Sequence, residues 1–340
     1  MKESLKIAIA GATGYVGLEL IKILSKHPKV KIKYLCATKS IGKEIIKFDK
    51  KIKKKLPKIS KLDKIDWNKI DVLFTALPNG EAQKIAKKIP KKVKLIDLSA
   101  DFRLNNHNLY KKYYKINHKC KNLIKKSIYS ITEFSRKKLP KHNIISCPGC
   151  YPTSIQLPLI PLLKKKLIKI DKIVIDSKSG YSGAGRKIEN KIKNKKFLES
   201  FSAYGVGNHR HTPEINQELS KASKEKINVY FTPHIIPVYR GILSTIYLDT
   251  AKNYNAKKIY MFLKKYHQNN FFVKICKYNS AIGTSDVLYT NNCYISVCES
   301  NMNNKIIIIS AIDNLIKGAS GQAVQNMNVS YGFREDLGLL

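Results

Sequence analysis

Cys150 carries the sequence's strongest covalent chemistry. It lies in Cys147-Pro148-Gly149-Cys150-Tyr151-Pro152-Thr153, directly after the apolar run at 143–146. Pro-Gly before the thiol and Pro152 after it build a sharp turn from a strand into a helix. A thiol at a helix start has its thiolate favoured by the dipole and by unpaired N–H groups, as a nucleophile requires. Cys147 reads instead as a small buried apolar residue. The second reactive segment is Asn208-His209-Arg210-His211-Thr212-Pro213-Glu214, a loop entering a helix with Thr212 as its cap and Pro213 in its first turn. A histidine there, His209 first, can exchange protons with a thiol and with oxyanions near neutral pH.

Two other readings of these residues are weaker. Cys147-x-x-Cys150 has the spacing of a dithiol redox pair, but such a unit is small and needs no nucleotide loop about 130 residues upstream. His209-x-His211 has the spacing of a metal pair, yet no cysteine or carboxylate cluster completes a ligand set, so no metal is expected.

That upstream loop is Gly11-Ala12-Thr13-Gly14-Tyr15-Val16-Gly17, between the strand-like run 5–10 and a helical pattern through Leu24. Glycines at this spacing permit a tight turn and close backbone approach, and the helix start offers N–H groups to a pyrophosphate. The second strand ends in Cys36-Ala37-Thr38-Lys39-Ser40 with no acid to hold ribose hydroxyls. Two hydroxyls and a cation suit a 2′-phosphate, so NADP is expected.

The elements that must position these residues follow from the pattern. Apolar runs at 5–10, 32–37, 71–77, 94–98 and 143–146 alternate with helix-compatible stretches such as 81–89, which predicts a parallel sheet. The Lys-dense segment 43–66 reads as a solvated excursion. After residue 150 strand-like runs cluster at 172–177, 227–234, 241–249, 271–276, 293–299 and 305–312. Helical patterns fit 151–166, 211–224, 255–267 and 314–328, so a second α+β domain with antiparallel sheet is expected. It holds a further Gly/Ser-rich turn, 179–186, and a polar helix opening at Asp313-Asn314.

The 340 residues carry 64 Lys+Arg against 24 Asp+Glu, a formal charge of +40. Only six of the basic residues are Arg, and no aromatic-interleaved basic ribbon accompanies them, so the charge reads as compositional rather than as a specific nucleic-acid surface. No apolar stretch approaches the ~20 residues of a membrane-spanning helix, and the N-terminus lacks a secretory cleavage site. Seven scattered cysteines suggest reduced thiols and a soluble cytoplasmic protein. Where Lys is so freely used, the few Arg positions mark places needing a planar fork, with Arg136 the ordinary surface exception.

Taken together, GATGYVG (11–17), LPNG (77–80), LIDLSADFRL (95–104), PGCYPT (148–153), SGYSGAGR (179–186), GNHRHTPEI (207–215), FTPHIIPVYRGIL (231–243) and DNLIKGASGQAVQNMN (313–328) resemble N-acetyl-gamma-glutamyl-phosphate reductases of type 1. The resemblance runs from about residue 5 to 333; PGCYPT with HRHTPEI is its specific part, and 43–66 matches poorly. It implies an α/β fold shared with aspartate-semialdehyde dehydrogenase. A Rossmann-type NADP-binding domain would span 1–150 and 313–340, and an inserted α+β catalytic and dimerisation domain 151–312. It implies NADPH-dependent reduction of an acyl phosphate through a cysteine thioester, the third step of arginine biosynthesis, in a homodimer or homotetramer. Carried over by motif, Cys150 is the nucleophile and His209 the acid–base. Gly11 to Gly17, Thr38, Lys39, Ser40, Pro78, Ser182, Gly183 and Asn314 would meet NADP. The substrate's anionic ends need forked cations, for which Arg103 and Arg240 are expected, then Arg210 or Arg186. The alternatives are a carrier-linked aminoadipyl-phosphate reductase of lysine biosynthesis, an aspartyl-phosphate reductase, and a basic nucleic-acid-binding protein.

Overall fold

The computed structural model describes residues 4–190 and 192–339, in two compact units: 1–148 with 319–340, and 149–318. The breaks put Cys150 and Asn314 in the second unit.

The first unit is built on strands β1 (Leu5–Ala10), β2 (Val30–Cys36), β3 (Ile59–Ser60), β4 (Val72–Thr75), β5 (Lys94–Asp97), β6 (Ser127–Tyr129) and β7 (Ile144–Ser146). They pair in the order β3-β2-β1-β4-β5-β7-β6, every pair parallel. Every residue of β1 except Lys6 is buried, the continuous apolar run of a strand covered on both faces. Helix α1 (Tyr15–Lys26) buries Leu18, Leu20, Ile21 and Leu24, and α2 (Glu81–Ala86) follows β4. The sheet order reverses between β1 and β4. At such a switch point the loops beyond the strands' carboxyl ends form a crevice. Those loops carry Gly11–Gly17, Thr38–Ser40 and Pro78.

The C-terminal helix Gly321–Ser330 belongs to this unit and is buried at every position but Val329. Its polar residues are used internally: Asn328 meets His27 Nε2 at 3.0 Å, and Asn326 accepts the hydroxyls of Ser130 and Thr132 at 2.8 and 2.7 Å.

Two expectations need correction here. Arg136 is not an ordinary surface residue: its Nε and Nη2 grip both oxygens of Glu335 at 2.6 and 2.9 Å, the bidentate geometry lysine cannot make. The segment 43–66 is not merely solvated. Ile45, Ile52, Ile59 and Ile65 are at most 5 % exposed, and it supplies β3. Single isoleucines set among lysines anchor it without producing a period.

The second unit contains β8 (Val174–Gly180), β9 (Ser202–Ala203), β10 (Tyr230–Ile236), β11 (Ile242–Asp249), β12 (Val273–Ile275), β13 (Cys293–Glu299) and β14 (Lys305–Ile312). The order is β12-β13-β14-β11-β8-β10-β9, mixed parallel and antiparallel. Helices α3 (Cys150–Lys164), α4 (Thr212–Ser223) and α5 (Ala256–His267) complete it. Burial alternates along β8 and β11, so one face of the sheet is core and the other carries Val174, Tyr230, Leu243 and Tyr247 outward.

Helix α3 tolerates Pro158 and Pro161 because everything from Tyr151 to Leu163 is buried. Six Leu and Ile side chains contribute on the order of 10 kcal/mol at ~1.5–3 each, against about 6 for two interior prolines. Ser154 inside it is satisfied by Tyr151 O and by the Ser244 hydroxyl at 2.8 Å. No helix among the described residues is long and apolar enough to cross a membrane.

Candidate active site

Cys150 is the first residue of α3, a half-buried thiol at the start of a fifteen-residue helix. Gly149 caps the helix in extended conformation with no side chain of its own to compete for the first N–H groups. Its own N–H is held by Glu214 Oε1 at 2.8 Å, and its carbonyl accepts the Thr153 hydroxyl at 2.9 Å. A Cβ there would fall 2.5 Å from His211 Nε2, so any larger residue must displace the imidazole. Gly318 is equally constrained: its Cβ would lie 2.7 Å from the Cβ of Cys150. The thiol-bearing residue is thus flanked by a histidine packed on its N-cap and by a bare backbone turn.

A cavity of about 500 Å³ opens onto this turn, lined by Cys150, Gly183, Tyr204, His209, Arg210 and His211 among others. His209 is 8 % exposed, and burial, with Arg210 adding to it, pushes its pKa down to about 4. Its Nδ1 accepts the His211 N–H at 3.1 Å, so the neutral ring carries its proton on Nε2. In that state it is a hydrogen-bond donor to an oxyanion rather than a base for a thiol. The helix behind it starts one residue earlier than expected. The N-cap is His211, in helical conformation and with no side-chain capping bond, and Thr212 is the first helical residue, its N–H turning back to His209 O.

The four candidate arginines are placed differently. Arg210 is exposed and lines the cavity. Arg103, in the first unit, is 8 % exposed and donates from Nε to Cys147 O and from Nη2 to Leu98 O at 2.9 and 2.8 Å. Arg240 pairs with buried Asp313 at 3.0 Å under the Tyr289 ring. Arg186 pairs with Glu189 at the surface.

Asn314 and the 179–186 turn come together: Asn314 Nδ2 donates to Ser182 Oγ at 2.9 Å and its Oδ1 accepts Gly241 N–H at 2.7 Å, with Gly183 exposed alongside. Asp313 does open the last helical segment, accepting N–H from Leu315 and Ile316 ahead of a π turn, Ile316–Ser320. Cys147 is fully buried, and burial pushes its pKa up to about 12. Among the described residues no group of three His, Cys, Asp or Glu could hold a metal ion.

In the first unit the glycine loop is a cradle of fixed shape. Gly11 has φ +87°, and a Cβ on it would sit 2.2 Å from Ala76 O; one on Gly17 would sit 2.2 Å from Gly11 O. Ala12 is buried behind the loop, Thr13, Tyr15 and Val16 are half-buried, and α1 begins after Gly14 with no capping side chain and no acid in its first turn. This arrangement fits a pyrophosphate. Gly11 and Ala12 N–H both bond Cys36 O, which sets the end of β2 beside the loop, and exposed Thr38 and Lys39 with Ser40 follow directly. Ala37 N–H bonds Ser60 O and Gly42 N–H bonds Ile59 O, so β3 braces those residues. Pro78, exposed, follows β4.

Sequence reasoning missed Glu214 and Gly318. Glu214 is the third residue of α4, fully buried, and Gly318 lies in the π turn. The only signals were an acid inside HRHTPE and a glycine inside GASG, neither of which names its neighbour.

Comparison with known proteins agrees with this layout. Residues 6–142 match the NAD binding domain of semialdehyde dehydrogenases and 150–314 their dimerisation domain. An N-acetyl-gamma-glutamyl-phosphate reductase of Ehrlichia canis is 44 % identical, aligning over all of this chain and 98 % of its own length. A probable chloroplastic one of Oryza sativa is 41 % identical over 99 % of this chain and 81 % of its own, and that of Clostridium beijerinckii 43 % over 98 % and 97 %. Among solved structures, aspartate semialdehyde dehydrogenase II of Vibrio cholerae complexed with ASA superposes with TM-score 0.74 at 16 % identity, covering 97 % of this chain and 99 % of that one. The Candida albicans aspartate semialdehyde dehydrogenase with NADP gives 0.67 at 17 %, over 96 % and 98 %. By full-length identity and by both domain matches, the chain belongs to the N-acetyl-gamma-glutamyl-phosphate reductase family of semialdehyde dehydrogenases.

Proposed function

We infer that the protein reduces N-acetyl-L-glutamyl 5-phosphate to N-acetyl-L-glutamate 5-semialdehyde and phosphate, with NADPH, in arginine biosynthesis. The observation that carries the reading is Cys150 at the first position of α3, sharing one cavity with His209 and Arg210.

The helix start stabilises the Cys150 thiolate. It attacks the acyl carbon, forming a C–S bond, and the C–O bond to phosphate breaks with its electron pair leaving on phosphate, which takes up one proton. NADPH, when bound, supplies hydride to the thioester carbonyl. The C–S bond then breaks, its electrons return to sulfur, and the aldehyde is released with the thiolate regenerated. The cycle needs no base for the thiol at each turn; it needs a donor to the oxyanion, and neutral His209 with its proton on Nε2 is such a donor. Gly11 to Gly17 would hold the pyrophosphate, and Thr38, Lys39 and Ser40 a 2′-phosphate, which favours NADP over NAD. Pro78 and the Ser182–Gly183–Asn314 bracket are assigned to the same cofactor.

We give Arg210 the substrate's anionic end. Arg103 and Arg240 are locked in plane by their present bonds, the state in which a guanidinium meets an anion at least entropic cost. The outward face of the second sheet, with Val174, Tyr230 and Tyr247 39, 65 and 45 % exposed, is assigned to a second copy of the chain, a dimer or pair of dimers. Seven free thiols suit a reducing cytoplasmic setting.

The test is phosphate-dependent NADP reduction with N-acetylglutamate semialdehyde and with aspartate semialdehyde, on wild type and Cys150→Ser. Turnover of the acetylated substrate alone, lost in the variant, supports the reading. Turnover of neither points to a carrier-linked acyl phosphate or to a binding role.

A further inference from the structure

Four rings surround His209 edge to face: Tyr151, Tyr204, Phe231 and His211, with centroids 5.6, 5.3, 5.5 and 4.9 Å away and planes 76–89° apart. Three of these are sealed, with Tyr151, Phe231 and His211 at most 6 % exposed. Tyr204, 38 % exposed, is the ring that stands between the imidazole and solvent. It is held at both ends. Its backbone N–H bonds Pro233 O at 3.0 Å. Its hydroxyl donates to the Tyr151 hydroxyl at 3.1 Å, and that hydroxyl donates on to His234 O at 3.2 Å. The next residue, Gly205, turns at φ +59° so closely that a Cβ would be 3.2 Å from His209 Cδ2. With near-perpendicular rings on its sides, the imidazole cannot rotate unless one of them moves.

We propose that Tyr204 is a positioning residue for the reaction, whose ring fixes His209 with Nδ1 on the His211 N–H and Nε2–H as its remaining donor, and keeps water from it. The other walls are core residues that the fold holds in place; Tyr204 sits on a surface segment beside the two-residue strand β9, so this wall alone is a partly exposed ring, placed by its backbone bond to Pro233 O. Besides the tyrosines, the titratable groups about His209 are Arg210, His211 and, across the same cavity, Cys150. Burial dominates their combined effect and keeps the imidazole neutral.

The inference rests on His209 acting on the substrate, and the test separates the two. The imidazole of His209 is titrated by NMR in the intact protein, with no turnover, for wild type, Tyr204→Ala and Tyr204→Phe. Tyr204→Ala is expected to raise the midpoint from about 4 toward 6.5, and to lower kcat on the order of tenfold with KM for NADPH unchanged. Tyr204→Phe keeps the ring and is expected to restore the low midpoint. A wild-type titration in Tyr204→Ala, or the same raised midpoint in Tyr204→Phe, overturns the role given to the ring. Wild-type kcat in His209→Asn would instead remove His209 from the reaction, whatever Tyr204 does to its titration.

Discussion

Replacing Gly318 by alanine should disable the protein while leaving it folded. Gly318 has no positive φ, so alanine meets no backbone strain there. The obstacle is space: the new methyl would lie 2.7 Å from Cys150 Cβ, 3.2 Å from its Cα and 3.3 Å from Ile312 Cδ1. Carbon atoms pack at about 3.5–4.0 Å, so Cys150 or the π turn must yield by about 1 Å. Overpacking of this size costs about 1–3 kcal/mol of stability, which a chain of this size tolerates. A nucleophile displaced by about 1 Å loses on the order of 100-fold in rate. The assay is kcat for acyl-phosphate reduction beside the alkylation rate of Cys150 by iodoacetamide and the dissociation constant of NADPH. We expect kcat down about 30- to 100-fold and altered alkylation, with cofactor binding unchanged. A kcat within twofold of wild type in a folded Gly318→Ala protein would refute the idea that this close approach sets the thiol's position.

Three further outcomes follow from the same geometry. Lys39→Glu should raise KM for NADPH about tenfold or more by removing a charge-assisted contact of ~1.5–3 kcal/mol, while KM for NADH falls; an unchanged NADPH to NADH ratio would take Lys39 out of the site. His209 is held neutral, with its pKa depressed from 6.5 to about 4. It is neutral folded and unfolded above pH 6.5, and the unfolded chain alone gains its proton as pH falls toward 4, so stability is lost across that window, up to about 3 kcal/mol. His209→Phe should therefore lose less stability than wild type between pH 7 and pH 4.5 in urea titrations; equal losses would contradict the burial effect. Tyr230→Asp, on the outward face, should halve the mass measured by sedimentation, and an unchanged mass would place the subunit contact elsewhere.

Much of the framework was legible because it is local. Gly11-x-x-Gly14-x-x-Gly17 followed an apolar strand, and the structure gives each end glycine a steric reason, contact with Ala76 O and Gly11 O. The apolar runs at 241–249 and 305–312 read as strands and became the antiparallel pair β11 and β14. What sequence hid is non-local or too short to have a period. The strands β3, β6 and β9 are two or three residues long. Ile45, Ile52 and Ile59 are single anchors in a lysine-rich segment. The partner of Arg136 is 199 residues away, and Glu214 reaches Gly149 across 65 residues. A period cannot announce such pairings, because they exist only once the sheets and helices are assembled. The tautomer of His209 was hidden for a similar reason: it depends on the N–H of His211 curling back, a turn that makes His211 the helix cap where Thr212 was expected.

Reduction of the acyl phosphate at Cys150 requires a thioester on its sulfur. The most direct measurement is the intact mass of the protein mixed with N-acetylglutamyl phosphate in the absence of NADPH, followed by peptide mapping. The thioester predicts one added N-acetylglutamyl group on the peptide carrying Cys150, removed as semialdehyde when NADPH is added. An unmodified Cys150 with release of semialdehyde proceeding at the wild-type rate in Cys150→Ser would contradict it.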